Sequence, residues 1–362
     1  MRRAPPLIAW MFIALWAASA AAFLSSFDFV AKESENRVWA AWPPFAEFKK
    51  DPQHWTSAVN AYVADHFGFR STFIRVHNWL KLKGFGTPPN DLVVLGKNGW
   101  LFWAGQDQLL LTRNVTPFLR ENIDRTTTVI DRTQAWMDRR GITFMIVIPP
   151  DPATVYSEML PDWLKPAPGP TRREVFISRV NAFMRYPVLD LAPALKEARR
   201  QHPTYHATDS HWNEWGAFVS LDLVMKQLRE RRPEIAWEPE RYSFDPVPAQ
   251  GLDLARSMGL SDLYSDFKFT QPKPLYVRTD KRDVHNFTTI CATCQDKTVL
   301  VVLDSFGKGM MPYISNTFRK AVYVWDNVMP FARINAEKAD IVFLEFVERK
   351  LQGLPPYAVP EN

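Results

Sequence analysis

Two short stretches hold the residue types that acyl chemistry needs: Asp209-Ser210-His211-Trp212-Asn213 and Leu303-Asp304-Ser305-Phe306-Gly307. A serine hydroxyl is a weak nucleophile until an imidazole takes its proton. The imidazole in turn needs a carboxylate to fix its tautomer and stabilise its charged form. Asp209 and His211 stand two residues apart at a loop-to-helix junction, so the carboxylate can reach back to the ring nitrogen turned away from the serine. Ser305 follows an unbroken aliphatic run, residues 299–303, that reads as a strand buried on both faces. Residues 310–318 after it read as a helix. A serine on such a turn stands at the carboxyl end of a sheet, where open α/β folds place ligands and backbone N–H groups face an oxyanion. Each stretch also has a plainer reading, as helix-capping residues beside a surface histidine.

The elements that must position these residues alternate between helix and apolar strand. Residues 55–82 are helical in pattern with a break at Gly68, and 92–103 form a hairpin around Asn98-Gly99. A helix over 122–140, closed by Gly141, leads into a buried strand at 142–148. A helix over 174–184, a short strand at 188–191, a helix at 195–200 and a long helix at 214–231 come next, and strands recur at 299–303, 321–325 and 341–346. This pattern argues for an α/β fold with a parallel sheet. Residues 232–296, rich in Pro, Asp and Ser, read as an irregular insertion, a lid or binding wall, with a helix near 252–260 and a strand at 275–278.

The chain has 362 residues, 46% hydrophobic and 23% charged, with a net charge of +5 spread along its length. It can bury a substantial core, and no basic stripe interleaved with aromatics points to nucleic acid. Arg2 and Arg3 precede residues 7–24, which carry no charge and are long enough to cross a membrane and export the rest of the chain. Ala18-Ser19-Ala20 and Ala20-Ala21-Ala22 resemble a signal-peptidase site, so this segment is either a retained anchor or a cleaved leader. The only cysteines, Cys291 and Cys294, are too few for a structural zinc site and in an exported chain form a local disulfide. The organisation expected is a membrane segment at 1–25, a linker at 26–54 and a catalytic domain at 55–362. No metal or cofactor is called for.

The order and spacing of several motifs resemble the alginate O-acetyltransferase family, the AlgJ/AlgX-like proteins of SGNH-hydrolase type. They are Glu35-Asn36-Arg37, Asp65-His66-Phe67-Gly68-Phe69-Arg70, Gly96-Lys97-Asn98-Gly99-Trp100-Leu101-Phe102, Asp209-Ser210-His211-Trp212-Asn213 with Gly216-Ala217, Leu303-Asp304-Ser305-Phe306 and Glu348-Arg349. The resemblance implies an α/β/α sandwich with a mainly parallel sheet and a Ser-His-Asp triad of Ser305, His211 and Asp209. It also implies O-acetylation of an exported polysaccharide at the periplasmic side of a Gram-negative inner membrane, with a membrane-bound O-acyltransferase supplying acetyl groups. Leu303 stands where family members commonly have glycine, which leaves the second oxyanion donor open; Asn327 and Arg349 are candidates. Trp212, Trp215 and Tyr313 are candidates for stacking on sugar. An esterase using the same triad, or a non-catalytic scaffold subunit, remains an alternative.

Overall fold

The computed structural model describes residues 7–25, 39–105, 107–280, 283, 285–326, 328–353 and 357–361. The Glu35-Asn36-Arg37 motif and Asn327 lie outside the described residues. The chain forms two compact units, one of residues 1–90 with 255–261 and one of 91–254 with 262–362. The boundary read at 54/55 therefore differs from the one the packing draws at 90/91, because the helices within residues 55–85 pack with the segments before them.

In the first unit, α1 (Leu7–Ser25) is followed by α2 (Phe45–Phe48), α3 (Pro52–His66) and α4 (Arg70–Trp79). α3 is started by Asp51, whose side chain accepts from the His54 N–H, with Pro52 preset for the first turn. The expected break at Gly68 is present. Buried Asp65 accepts from the Ala40 N–H at 2.8 Å, which ties the chain before α2 to the end of α3.

The second unit begins with the expected hairpin, β1 (Val93–Leu95) and β2 (Leu101–Trp103), whose turn places Asn98 and Gly99 at φ 54° and 80°. Short α5 (Gln108–Thr112) leads to α6 (Arg120–Asp138) and β3 (Thr143–Val147). Next come α7 (Pro152–Val155), α8 (Arg172–Val180), α9 (Ala192–Ala198) and α10 (Glu214–Arg231). β4 (Pro246–Gln250), α11 (Asp253–Ser257, whose last three residues belong to the first unit), β5 (Ser265–Phe269), β6 (Val277–Arg278) and β7 (Phe287–Ile290) occupy the region read as an insertion. β8 (Gln295–Leu303), α12 (Met311–Ser315), β9 (Phe318–Trp325), α13 (Phe331–Glu337) and β10 (Ile341–Glu345) complete the unit.

The central sheet runs β3-β10-β8-β9-β7-β6, with the first four strands parallel and β7 and β6 antiparallel at one edge. Successive residues of β8 enter opposite cores, as the aliphatic run demanded. Val299, Val301 and Leu303 pack with α9, α10 and α12, while Leu300 and Val302 pack with α6, α8 and α13. The sheet is thus covered on both faces, and the expected α/β/α sandwich is observed.

Two local expectations fail for identifiable reasons. Residues 188–191 form no strand, because the Asn181 side chain takes both backbone groups of Val188, accepting its N–H at 2.7 Å and donating to its carbonyl at 3.0 Å. The region 232–296 is not purely irregular, since β7 and β6 extend the main sheet and β4 pairs with β5. These strands are short and half-polar, so they lack the apolar run that marked the central ones. Cys291 and Cys294 are disulfide-bonded in the turn between β7 and β8.

α10 starts where Asn213 accepts from the Gly216 N–H at 2.9 Å. A side chain at 216 would overlap the Thr204 carbonyl oxygen and stand 3.2 Å from Trp212 Cβ. Gly216→Ala is expected to lower unfolding stability by about 2 kcal/mol or more. A denaturant titration checks this.

Candidate active site

The turn after β8 is built on two buried acids. The Asp304 carboxylate accepts from the Phe306 N–H at 2.9 Å and the Val347 N–H at 3.0 Å, and Lys350 Nζ lies 3.2 Å away. The Asp304 N–H donates to Glu345 Oε2 at 3.0 Å. Burial, reinforced by the Asp304 charge, pushes the Glu345 carboxyl well above its ordinary value. Gly307 is required here, because a Cβ would stand 2.6 Å from Glu345 Oε2 and 2.7 Å from Leu303 Cβ. Ser305, held between Asp304 and Phe306, is half-buried at the carboxyl end of the sheet.

The Asp–His loop is tied down from several sides. Asp266, on β5, accepts from both the N–H (2.9 Å) and the hydroxyl (2.5 Å) of Thr208, and His206 Nδ1 lies 3.5 Å from the same carboxylate. Thr208 also accepts from the Leu252 N–H on its hydroxyl and from the Leu254 N–H on its carbonyl. Beyond this hub, Asp209 Oδ1 meets His211 Nδ1 at 2.7 Å and the His211 N–H at 3.1 Å, while Oδ2 accepts from the Asp253 N–H at 3.3 Å. Burial would raise the Asp209 carboxyl, but the His211 hydrogen bond and the His211 and His206 charges hold it below its ordinary value. With Nδ1 so engaged, Nε2 is the nitrogen left for a reacting hydroxyl. It is buried and has no hydrogen-bond partner.

The two stretches meet at Phe306, the residue after Ser305. The His211 ring lies 4.8 Å from the Phe306 ring, and Trp212 Nε1 donates to the Phe306 carbonyl at 2.9 Å. No hydrogen bond joins His211 Nε2 to Ser305 among the described residues; such bonds often form fully only when substrate closes the site. Ligand atoms of Asp209, His211 and Asp253 lie within 4.8 Å of one another, so a cation there would compete with the Asp209–His211 bond.

The aromatic candidates are placed differently from expectation. Trp212 and Tyr313 are buried, the first clamping Phe306 and the second donating to the Glu214 carbonyl at 3.3 Å. Trp215 is half-buried, donates to the Ala198 carbonyl at 3.3 Å and packs on Phe244. Trp212 and Tyr313 are thus packing residues beside α10, while Trp215 keeps part of its ring exposed. Arg349 lies 5.1 Å over the Phe306 ring but is paired with Asp151.

Beside this turn lies a charge cluster at the ends of β3 and β10. Glu348 accepts from the Asp151 N–H at 2.8 Å, from the Thr154 hydroxyl and from Arg173 Nε at 2.9 Å, and Arg173 also pairs with Asp190. It borders a cavity of about 220 Å³ lined by Gln108, Asp151, Arg172, Glu348 and Arg349 among others. Burial raises both Asp151 and Glu348, the latter, with Asp151 adding, to about 7 against the pull of Arg173.

Residues 93–326, close to two thirds of the chain, match the family model described as SGNH hydrolase-like domain, acetyltransferase AlgX. The chain belongs to this family. The matched segment contains Asp209, His211 and Ser305. A probable alginate O-acetylase AlgJ of Pseudomonas syringae pv. tomato is 25% identical over 227 residues, covering 61% of this chain and 54% of the relative. The chain thus spans about half the length of the curated relative it matches. Bacillus cereus PatB1 shares the fold, with a TM-score of 0.53 at 15% identity over 72% of this chain and 97% of PatB1. Its sulfonyl adduct gives 0.54 at 14% identity over the same shares.

Several residues that shape this candidate site escape sequence reasoning: Glu345, Asp151, Arg173, His206 and Asp266. Glu345 alone carried a signal, as an acid inside a run read as buried strand. Glu348 yields a pH test. Its folded value lies above the 4.5 of an ordinary glutamate, so its stabilising contribution is complete below pH 4.5 and is lost as pH rises through about 7. Glu348→Gln is expected to flatten the decline in unfolding free energy across that window, read by denaturant titrations at several pH values.

Proposed function

We propose that this protein is an O-acetyltransferase that moves acetyl groups onto hydroxyls of an exported polysaccharide through an acetyl-Ser305 intermediate. The observation that carries this reading is the 2.7 Å Asp209–His211 contact, which leaves a buried, unpartnered Nε2 against the Phe306 ring, one residue from Ser305. Family membership supplies the acetyl chemistry, and the polysaccharide is carried over from the alginate O-acetylase relative.

In the first half-reaction His211 Nε2 takes the Ser305 proton as Oγ adds to the acetyl carbonyl. The donor's ester bond breaks and its leaving oxygen receives that proton from the imidazolium. In the second, His211 deprotonates a sugar hydroxyl, which adds to acetyl-Ser305; the serine ester bond breaks and Ser305 Oγ is reprotonated. Asp209 holds the tautomer and stabilises the imidazolium in both. The Ser305 N–H is the first oxyanion donor, and a donor of this kind is worth about 3 kcal/mol of barrier.

α1 is long and apolar enough to cross a membrane. In this reading it is a signal anchor that holds the protein at the periplasmic face of the inner membrane. A membrane-bound O-acyltransferase there delivers the acetyl groups.

Intact mass spectrometry after brief exposure to an activated acetyl ester tests the intermediate. One acetyl mass is expected on the wild type and none on Ser305→Ala, whose ester turnover falls on the order of 10⁴-fold; Asp209→Asn loses about 10³–10⁴-fold. A folded wild type with neither adduct nor turnover would overturn the proposal. Turnover to free acetate that an oligosaccharide acceptor leaves undiminished would make it an esterase.

A further inference from the structure

The first unit carries an apolar surface that the acetyl-transfer reading does not use. α1 packs on the α3–α4 junction along one face. Ser19 and Ala22 are its buried residues, the Trp16 and Phe67 rings lie 6.1 Å apart, and Phe23 and Tyr62 lie 6.3 Å apart. Gly68 makes this approach possible, since a side chain there would overlap the Ser19 carbonyl and stand 2.8 Å from Ala22 Cβ. At 1.5 Å per residue, Ser19–Phe23 lie roughly 3–9 Å, and Trp16 about 13 Å, from the carboxyl end of α1. If α1, about 28 Å long, crosses a bilayer, these contacts run from the boundary of headgroups and acyl chains into the adjoining half of the hydrocarbon, so the α3–α4 junction meets lipid.

α4 starts from that junction. Phe73, Val76, Trp79 and Leu80 share one face by helical spacing, and all four are exposed. Asn78, on the opposite face, donates to the Met258 carbonyl at 2.7 Å within the same unit. Past the turn at Leu80–Gly84, Phe85 is 78% exposed. Residues 66–90 contain Arg70, Arg75, Lys81 and Lys83 and no Asp or Glu. An apolar stripe with a tryptophan that runs into Lys81 and Lys83 suits an interfacial helix on anionic lipid.

We propose that α4 and the chain to Phe85 lie in the membrane interface, as a second lipid contact beside α1, with anionic phospholipid as the partner. The proposal rests on the reading of α1 as an anchor. The bilayer is the occupant the structure favours over another protein, because the stripe begins at the point where α1 packs and runs into two lysines, Lys81 and Lys83.

The test uses the full chain in vesicles containing phosphatidylglycerol. Because Cys291 and Cys294 are bonded to each other, an introduced cysteine is the sole thiol. Val76→Cys, Phe85→Cys and Ile13→Cys in α1 are each labelled with bimane. Lipids nitroxide-labelled near the headgroup should lower emission at 76 and 85 by about half, with deep-labelled lipids quenching 13. Quenching at 13 with water-like, unquenched emission at both 76 and 85 overturns the proposal while leaving the anchor intact. Blue-shifted but unquenched emission at 76 and 85 overturns it in favour of a protein partner. No quenching at 13 removes the anchor reading and this proposal with it.

Discussion

Asp304 is almost closed off from water, yet at the end of β8 it holds two backbone N–H groups and faces Lys350. A second acid, Glu345, lies beneath it, and burial together with the Asp304 charge disfavours its ionised form. The adjacency is dictated by the parallel register, in which Val302 pairs with Leu344, so the next residue of β10 arrives under the next turn of β8. That acid pair accounts for the bare backbone at Gly307, the fixed Phe306 N–H and the place of Ser305 between them. Phe306 then receives the other half of the site, its carbonyl held by Trp212 and its ring covered by His211 on one side and Arg349 on another.

Much of this was legible in the sequence. Residues 299–303 announced a doubly buried strand, and alternate side chains do enter the two cores. The Asp-x-His spacing announced a carboxylate reaching back to its histidine, and the 2.7 Å contact is there. Both signals are local, written in runs or in spacings of two residues, so no knowledge of the fold was needed to read them.

The residues that stayed hidden depend on contacts between distant positions. Asp266 supports Thr208 from 58 positions away, and Glu348 reaches Arg173 from 175 away. Neither residue sits in a local pattern that distinguishes it from a solvated acid. The tryptophans misled for a related reason. Trp212 and Trp215 flank the histidine in sequence, but a loop-to-helix start turns neighbouring side chains in different directions, and theirs point inward to bond carbonyls of Phe306 and Ala198.

Thr208 commits its N–H, hydroxyl and carbonyl to Asp266, Leu252 and Leu254. Residues 252–266 are therefore a buttress for the histidine loop and cannot swing away like a flap without dragging the loop out of register. Any lengthening or trimming of this segment over evolutionary time has to preserve the three anchor points, which makes it a poor place to graft a new specificity, despite its loop-like composition.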